Sequence, residues 1–166
     1  MVIPREGEIY GPNNICLYRR ILGWWWKYFF QIVNRKGQKK RFQIRCSIAF
    51  YQKTEYFEIL EWLKNYFGVG YIRHRKTGIS DYTIVEPKEV ERILLLLKPY
   101  IRLKKKQAEL GLDILQKLKT IDKENQKEFL EICNLVDKFG EINYSKNRKI
   151  NSSFVKNYFK NISLPP

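Results

Sequence analysis

The chain is short of carboxylates and almost without histidine. Its 166 residues hold 17 Asp and Glu against 32 Lys and Arg, a net charge of +15, with a pI near 9.7. No acidic residue stands between Glu8 and Glu55, and the first aspartate is Asp81. A positive surplus of this size makes the compact state repel itself. It therefore fits a protein held against a polyanion and argues against an enzyme of small metabolites. Nucleic acid is the leading partner on these grounds and an anionic membrane surface trails it.

Other absences narrow the field further. His74 is the single histidine, and Cys16, Cys46 and Cys133 are widely spaced with no C-x-x-C pair among them. A structural zinc site needs about four such ligands, so no metal site is expected and the cysteines are expected to be buried, reduced thiols. No apolar run approaches the roughly 20 residues of a membrane span. The longest, Ile93–Leu97, belongs to an amphipathic helix, and Met1–Pro12, with Pro4, Glu6 and Glu8, has no apolar core of the signal-peptide kind. Neither a cofactor nor a membrane is expected as a partner.

What is present is a patterned apolar fraction of 44%, enough for a folded domain. In Arg41–Phe50 the residues alternate strictly. Phe42, Ile44, Cys46 and Ile48 fall on one side, and Arg41, Gln43, Arg45 and Ser47 on the other, which is the mark of a strand buried on one face. Lys27–Lys36, carrying Gln31 and Arg35, pairs with it through a turn at Lys36–Lys40 that includes Gly37, Lys39 and Lys40. A second hairpin follows. Val69–Arg75 sets Tyr71, Arg73 and Arg75 on one face, and Ile79–Glu86 returns with Ser80, Tyr82 and Ile84 opposite Asp81 and Thr83. Asp81 is expected to pair across the hairpin with Arg73 or Arg75.

Helical spacing accounts for the rest. Ile15–Trp26 is apolar but interrupted by Arg19 and Arg20, and Glu55–Phe67 is amphipathic and stopped by Gly68. Helices are predicted at Lys88–Leu97, Leu103–Leu118 and Glu124–Phe139, with a short one near Ser153–Phe159. The order helix–strand–strand–helix–strand–strand–helix, with extra C-terminal helices, is an α+β plan. It divides into an arm at 1–14, a main domain at 15–139 and a basic tail at 140–166.

Several segments carry a family resemblance. Val69–Asp81 (VGYIRHRKTGISD), Lys98–Leu110 (KPYIRLKKKQAEL), Phe129–Asp137 (FLEICNLVD) and Ser145–Lys149 (SKNRK), with IAF at Ile48–Phe50 and QKT at Gln52–Thr54, resemble the single-motif LAGLIDADG homing endonucleases of organellar rRNA-gene introns. The resemblance implies an αββαββα fold with a saddle-shaped antiparallel sheet set into the DNA major groove. It also implies a homodimer formed through the motif helices, and a motif aspartate that holds a divalent metal. That motif is degenerate here. Its ungapped position is Tyr18–Trp26 (YRRILGWWW), with Arg19 and Arg20 for the small interface residues and Trp25 for the aspartate. A shifted register puts Trp26 and Tyr28 there instead, and an indole cannot replace a hard carboxylate oxygen. Gln52 and Lys104 match the glutamine and lysine that flank the cleaved phosphate, and are read here as phosphate contacts.

These observations lead to a definite expectation: a catalytically inactive, domesticated member of that fold that binds structured RNA. Its place would be in an organellar, preferably mitochondrial, large ribosomal subunit, next to rRNA and ribosomal proteins. Arg19 and Arg20, unpaired and buried, would oppose a close helix dimer, so a monomer is expected. The interface would be Arg19, Arg20, Gln31, Arg35, Lys39, Lys40, Arg41, Gln43, Arg45, Gln52, Tyr71, Arg73, Arg75 and Lys104. A splicing maturase and a DNA-binding or DNA-cleaving homing endonuclease are the alternatives.

Overall fold

The computed structural model describes residues 26–37, 41–101, 104–122, 125–143 and 148–163. The arm, the motif segment through Trp25, and Arg19, Arg20, Lys39 and Lys40 lie outside them. Four strands form one sheet in the order β1-β2-β4-β3: β1 Trp26–Asn34, β2 Phe42–Lys53, β3 Tyr71–His74 and β4 Ile79–Ile84. Five helices complete the described residues: α1 Glu58–Phe67, α2 Pro87–Leu97, α3 Lys105–Thr120, α4 Gln126–Ile142 and α5 Ser152–Ser163. The architecture is an α+β fold, as expected. Trp26 departs from the expectation of a helix through that residue. It opens β1 and is buried, stacked on Tyr28 and Phe50.

Contacts divide the chain into two compact units, Met1–Tyr28 with Ser47–Leu103 and Phe29–Cys46 with Lys104–Pro166. In the first unit β4 is the central strand. It pairs antiparallel with β2, Ile48 opposite Ile84 through Lys53 opposite Ile79, and with β3, Tyr71 opposite Thr83 through His74 opposite Ser80. Phe50, Phe67 and Tyr82 stack at the core, with Leu60, Leu63, Val90, Ile93 and Leu94 buried around them. β2 runs three residues past the alternating segment, and a single 3₁₀ turn, Thr54–Tyr56, precedes α1, so the helix starts later than its periodicity indicated. Gly68 ends α1 in the left-handed region at φ 73°, as its position in the sequence indicated. Arg92 of α2 donates to the Phe67 carbonyl at that end.

In the second unit the inward residues of β1 and β2, Phe30, Ile32, Phe42, Ile44 and Cys46, are buried, as are Ile114, Leu115, Ile132, Val136 and Phe139 of α3 and α4. Phe30 meets Phe139 edge-on at 4.9 Å. Asn125 caps α4, accepting from the amides of Lys127 and Glu128 while its own amide donates to Glu128. α5 is longer than the predicted short helix. Val155 is buried, Phe42 packs against Phe154, Tyr158 and Phe159, and Asp137 accepts from the amide of Ser152. Cys46 and Cys133 are free and buried, and burial pushes both thiols up to about 12.

Candidate nucleic-acid interface

Antiparallel pairing places directly opposed residues on the same face of a sheet. In the first unit this puts Tyr51, Asp81 and Arg73 in one row, with Thr83 and Tyr71 beside them. Asp81 is the hub. The Nε and Nη2 of Arg73 donate to its carboxylate at 3.2–3.3 Å, Arg75 Nε donates at 2.5 Å, and the Thr83 hydroxyl donates at 2.9 Å. The Asp81 side chain is 1% exposed, whereas those of Arg73 and Arg75 are 56% and 41% exposed. The carboxylate is thus sealed beneath two guanidiniums that are themselves about half exposed. Arg75 also lies over the Tyr51 ring, 5.6 Å from its centroid.

Burial alone would raise the Asp81 carboxyl. The hydrogen bonds from Arg75 and Thr83 and the charges of Arg73 and Arg75 outweigh burial and hold it below its ordinary 3.8. Burial, followed by the charge of Asp81, raises the Tyr51 phenol, which therefore stays neutral. The arrangement presents two fixed, planar, multiply donating groups beside an exposed Tyr71. That geometry suits the acceptor-rich edges of purines in a wide groove.

The remaining expected residues are distributed as follows. Gln52 is half-buried, opposite Ser80 on the face away from Arg73, and its side chain accepts from the Lys53 amide. In the second unit, Gln43 and Arg45 of β2 and Gln31 of β1 are exposed, alternating with buried neighbours. Arg35 is exposed beyond β1. Arg41 is partly withdrawn, its guanidinium 4.7 Å over the Tyr158 ring of α5. Lys104 is half-buried and heads α3, its carbonyl accepting from Ala108. The sequence reading anticipated a single partner for Asp81, and the structure joins both arginines to it. It set Thr83 on the face of Asp81 but not in the interface, and it overlooked Tyr51, although the spacing of Tyr51 from Arg45 along β2 carries the same alternation.

The fold and this face define an α+β protein with a basic, donor-rich sheet edge, and comparison with known proteins specifies which kind. The sequence profile of the LAGLIDADG endonucleases matches residues 28–112. The DNA endonuclease I-CreI of Chlamydomonas reinhardtii is 36% identical over 133 residues, 80% of each chain, and I-CvuI of Chlorella vulgaris is 31% identical over 132 residues, 80% of this chain and 81% of its own. The chain belongs to the LAGLIDADG endonuclease family. I-CvuI in complex with the I-CreI target superposes with a TM-score of 0.82 at 27% identity, covering 92% of this chain and 96% of that one. An archaeal intron-encoded homing endonuclease complexed with DNA shares the fold, with a TM-score of 0.73 at 16% identity.

These findings correct the functional expectation. The relatives are DNA endonucleases by name and the solved neighbours hold DNA targets, so the reading as a non-enzymatic rRNA-binding ribosomal component is overturned. The partners expected, rRNA and ribosomal proteins, fall with it, since the solved neighbours are complexes with DNA targets, and the expected monomer runs against the homodimer typical of single-motif members. The physical reason is that a positive surplus is attracted to any phosphate backbone and cannot by itself separate RNA from DNA. One lost carboxylate is a local change and does not outweigh similarity along four fifths of the chain.

The family implies a divalent metal, and the donor set in hand does not fit one. Among the described residues no group of three or more His, Cys, Asp or Glu could hold an ion. At the ungapped motif position the sequence carries Trp25, and in the shifted register Trp26 and Tyr28, with no acidic residue from 9 to 54.

Proposed function

We propose that this chain binds a specific double-stranded DNA site in the manner of the DNA endonucleases to which it is related. The Arg73–Asp81–Arg75 edge, flanked by Tyr71, reads base edges in the major groove. Within the second unit, the exposed Gln31, Gln43 and Arg45 are polar and basic groups of the kind that contact DNA. The observation that carries the reading is the sealed Asp81 carboxylate. It fixes two half-exposed guanidiniums in direction, and direction is what base readout needs and phosphate attraction does not. Cleavage of that site is the activity class defined by the relatives' names.

Selection from a randomised duplex library at physiological salt tests the proposal. One discrete site is expected to be enriched, and its duplex is expected to outcompete structured RNA of equal length. The selected site in a supercoiled plasmid with Mg²⁺ then tests strand scission directly. Preference for structured RNA over every duplex would overturn the proposal.

A further inference from the structure

β3 is four residues long and forms an edge of the sheet. Short edge strands are where register is least secure, and a slip of one residue exchanges their two faces. In this hairpin a slip would turn Arg73 and Arg75 away from the solvent side, toward the side that buries Tyr82 and Ile84. Both arginines tie the strand to Asp81 on one face.

A second tie lies on the opposite face, in the row Gln52–Ser80–His74. His74 Nδ1 is 2.8 Å from the Ser80 hydroxyl, which is 3.0 Å from the Thr54 hydroxyl. Ser80 is fully buried, the Thr54 amide donates to the Gly78 carbonyl at the hairpin turn, and the imidazole packs edge-on against Phe57 at 5.4 Å. A hydroxyl can direct its proton either way, so the His74–Ser80–Thr54 chain keeps both bonds whichever ring nitrogen is protonated. The edge strand is therefore clamped from both faces.

We propose, resting on the duplex-DNA reading above, that His74 is a positioning residue for sequence discrimination. Through Ser80 and Thr54 it holds β3 in the register that presents Arg73 and Arg75 to base edges. It makes no contact with the nucleic acid itself, because its row points away from the arginine face.

Two variants separate this role from packing. His74→Phe keeps a ring against Phe57 and removes Nδ1, whereas His74→Asn places an amide group near the position of Nδ1 and restores a partner for Ser80. The Arg75 amide donates to the Ile79 carbonyl at 3.0 Å, and its hydrogen exchange in the free protein reports the clamp without any DNA. Exchange is expected to quicken about tenfold in His74→Phe and to return to within about twofold of the parent in His74→Asn. On the duplex selected by the parent, His74→Phe is expected to lose about tenfold in discrimination against single-base variants, with an unchanged dependence on salt.

Unaltered Arg75 exchange in His74→Phe would overturn the clamp, whatever the protein binds. Faster exchange with undiminished discrimination would overturn the specificity role. So would a salt slope reduced by about one, which marks a direct phosphate contact. His74→Asn behaving like His74→Phe would assign the effect to the ring and not to the hydrogen bond. A parent protein that selects no duplex, with the exchange results as expected, would overturn the DNA reading and leave the clamp intact.

Discussion

Asp81 shows how one buried carboxylate can organise an exposed face. Its hydrogen bonds come from groups that are charged or close at hand, so the ionised form is favoured despite burial. The linkage has a definite sign. A carboxyl titrating lower in the folded state adds stability that is fully present above its unfolded value near 3.8 and is lost as pH falls through the lower folded value. Asp81→Asn is expected to destabilise the protein by about 1–3 kcal/mol at neutral pH. The gap between parent and variant should close as pH drops below about 4. Urea unfolding at a series of pH values measures this, and a gap that stays constant down to pH 2 would contradict it.

The hairpin depends on glycines in two different ways. Gly68 and Gly70 both have positive φ, 73° and 89°, at the junction between α1 and β3. A Cβ on Gly68 would meet nothing within 4 Å, whereas one on Gly70 would lie 2.6 Å from the Thr83 carbonyl oxygen and 2.8 Å from the Ile84 side chain. Gly68→Ala should therefore cost only the left-handed backbone term of about 1–2 kcal/mol. Gly70→Ala should cost more, since β3 must also move away from β4, and about 3 kcal/mol or above is expected. The comparison is read from urea midpoints at equal slope. Equal losses in the two variants would show that the close approach of Gly70 to β4 is relieved without penalty.

The surplus of 15 positive charges belongs to the chain as a whole. A charge surplus sets the strength of attraction to phosphate and carries no sequence information, which in the proposed function falls to the arginine edge. Affinity for the selected duplex is expected to fall steeply with salt. A change from 50 to 200 mM should cost about 10³-fold or more if six or more phosphates are neutralised. Discrimination between the site and its single-base variants should change far less over the same range. Fluorescence anisotropy titrations measure both quantities. Loss of discrimination in parallel with affinity would show that phosphate attraction, and not Arg73 and Arg75, carries the preference.

Much of this molecule follows from local pattern. Strict alternation in Arg41–Phe50 placed β2 and sorted Gln43 and Arg45 outward, because side chains in a strand alternate whatever the surroundings. Helical spacing placed α1 to α4 to within a few residues, and Gly68 marked the end of α1. Conserving no motif carboxylate and carrying a large positive charge are also facts of sequence, but they fit RNA and DNA equally well. Only tertiary structure decided the rest. The 26-residue separation of Thr54 from Ser80 and the pairing of β3 with β4 bring together residues that have no local reason to meet. Both arginines share Asp81, not one of them, because the twist and register of a hairpin set which side chains reach a common carboxylate. Burial of Asp81 beneath those guanidiniums, which no local pattern encodes, is what fixes the direction of the two half-exposed arginines.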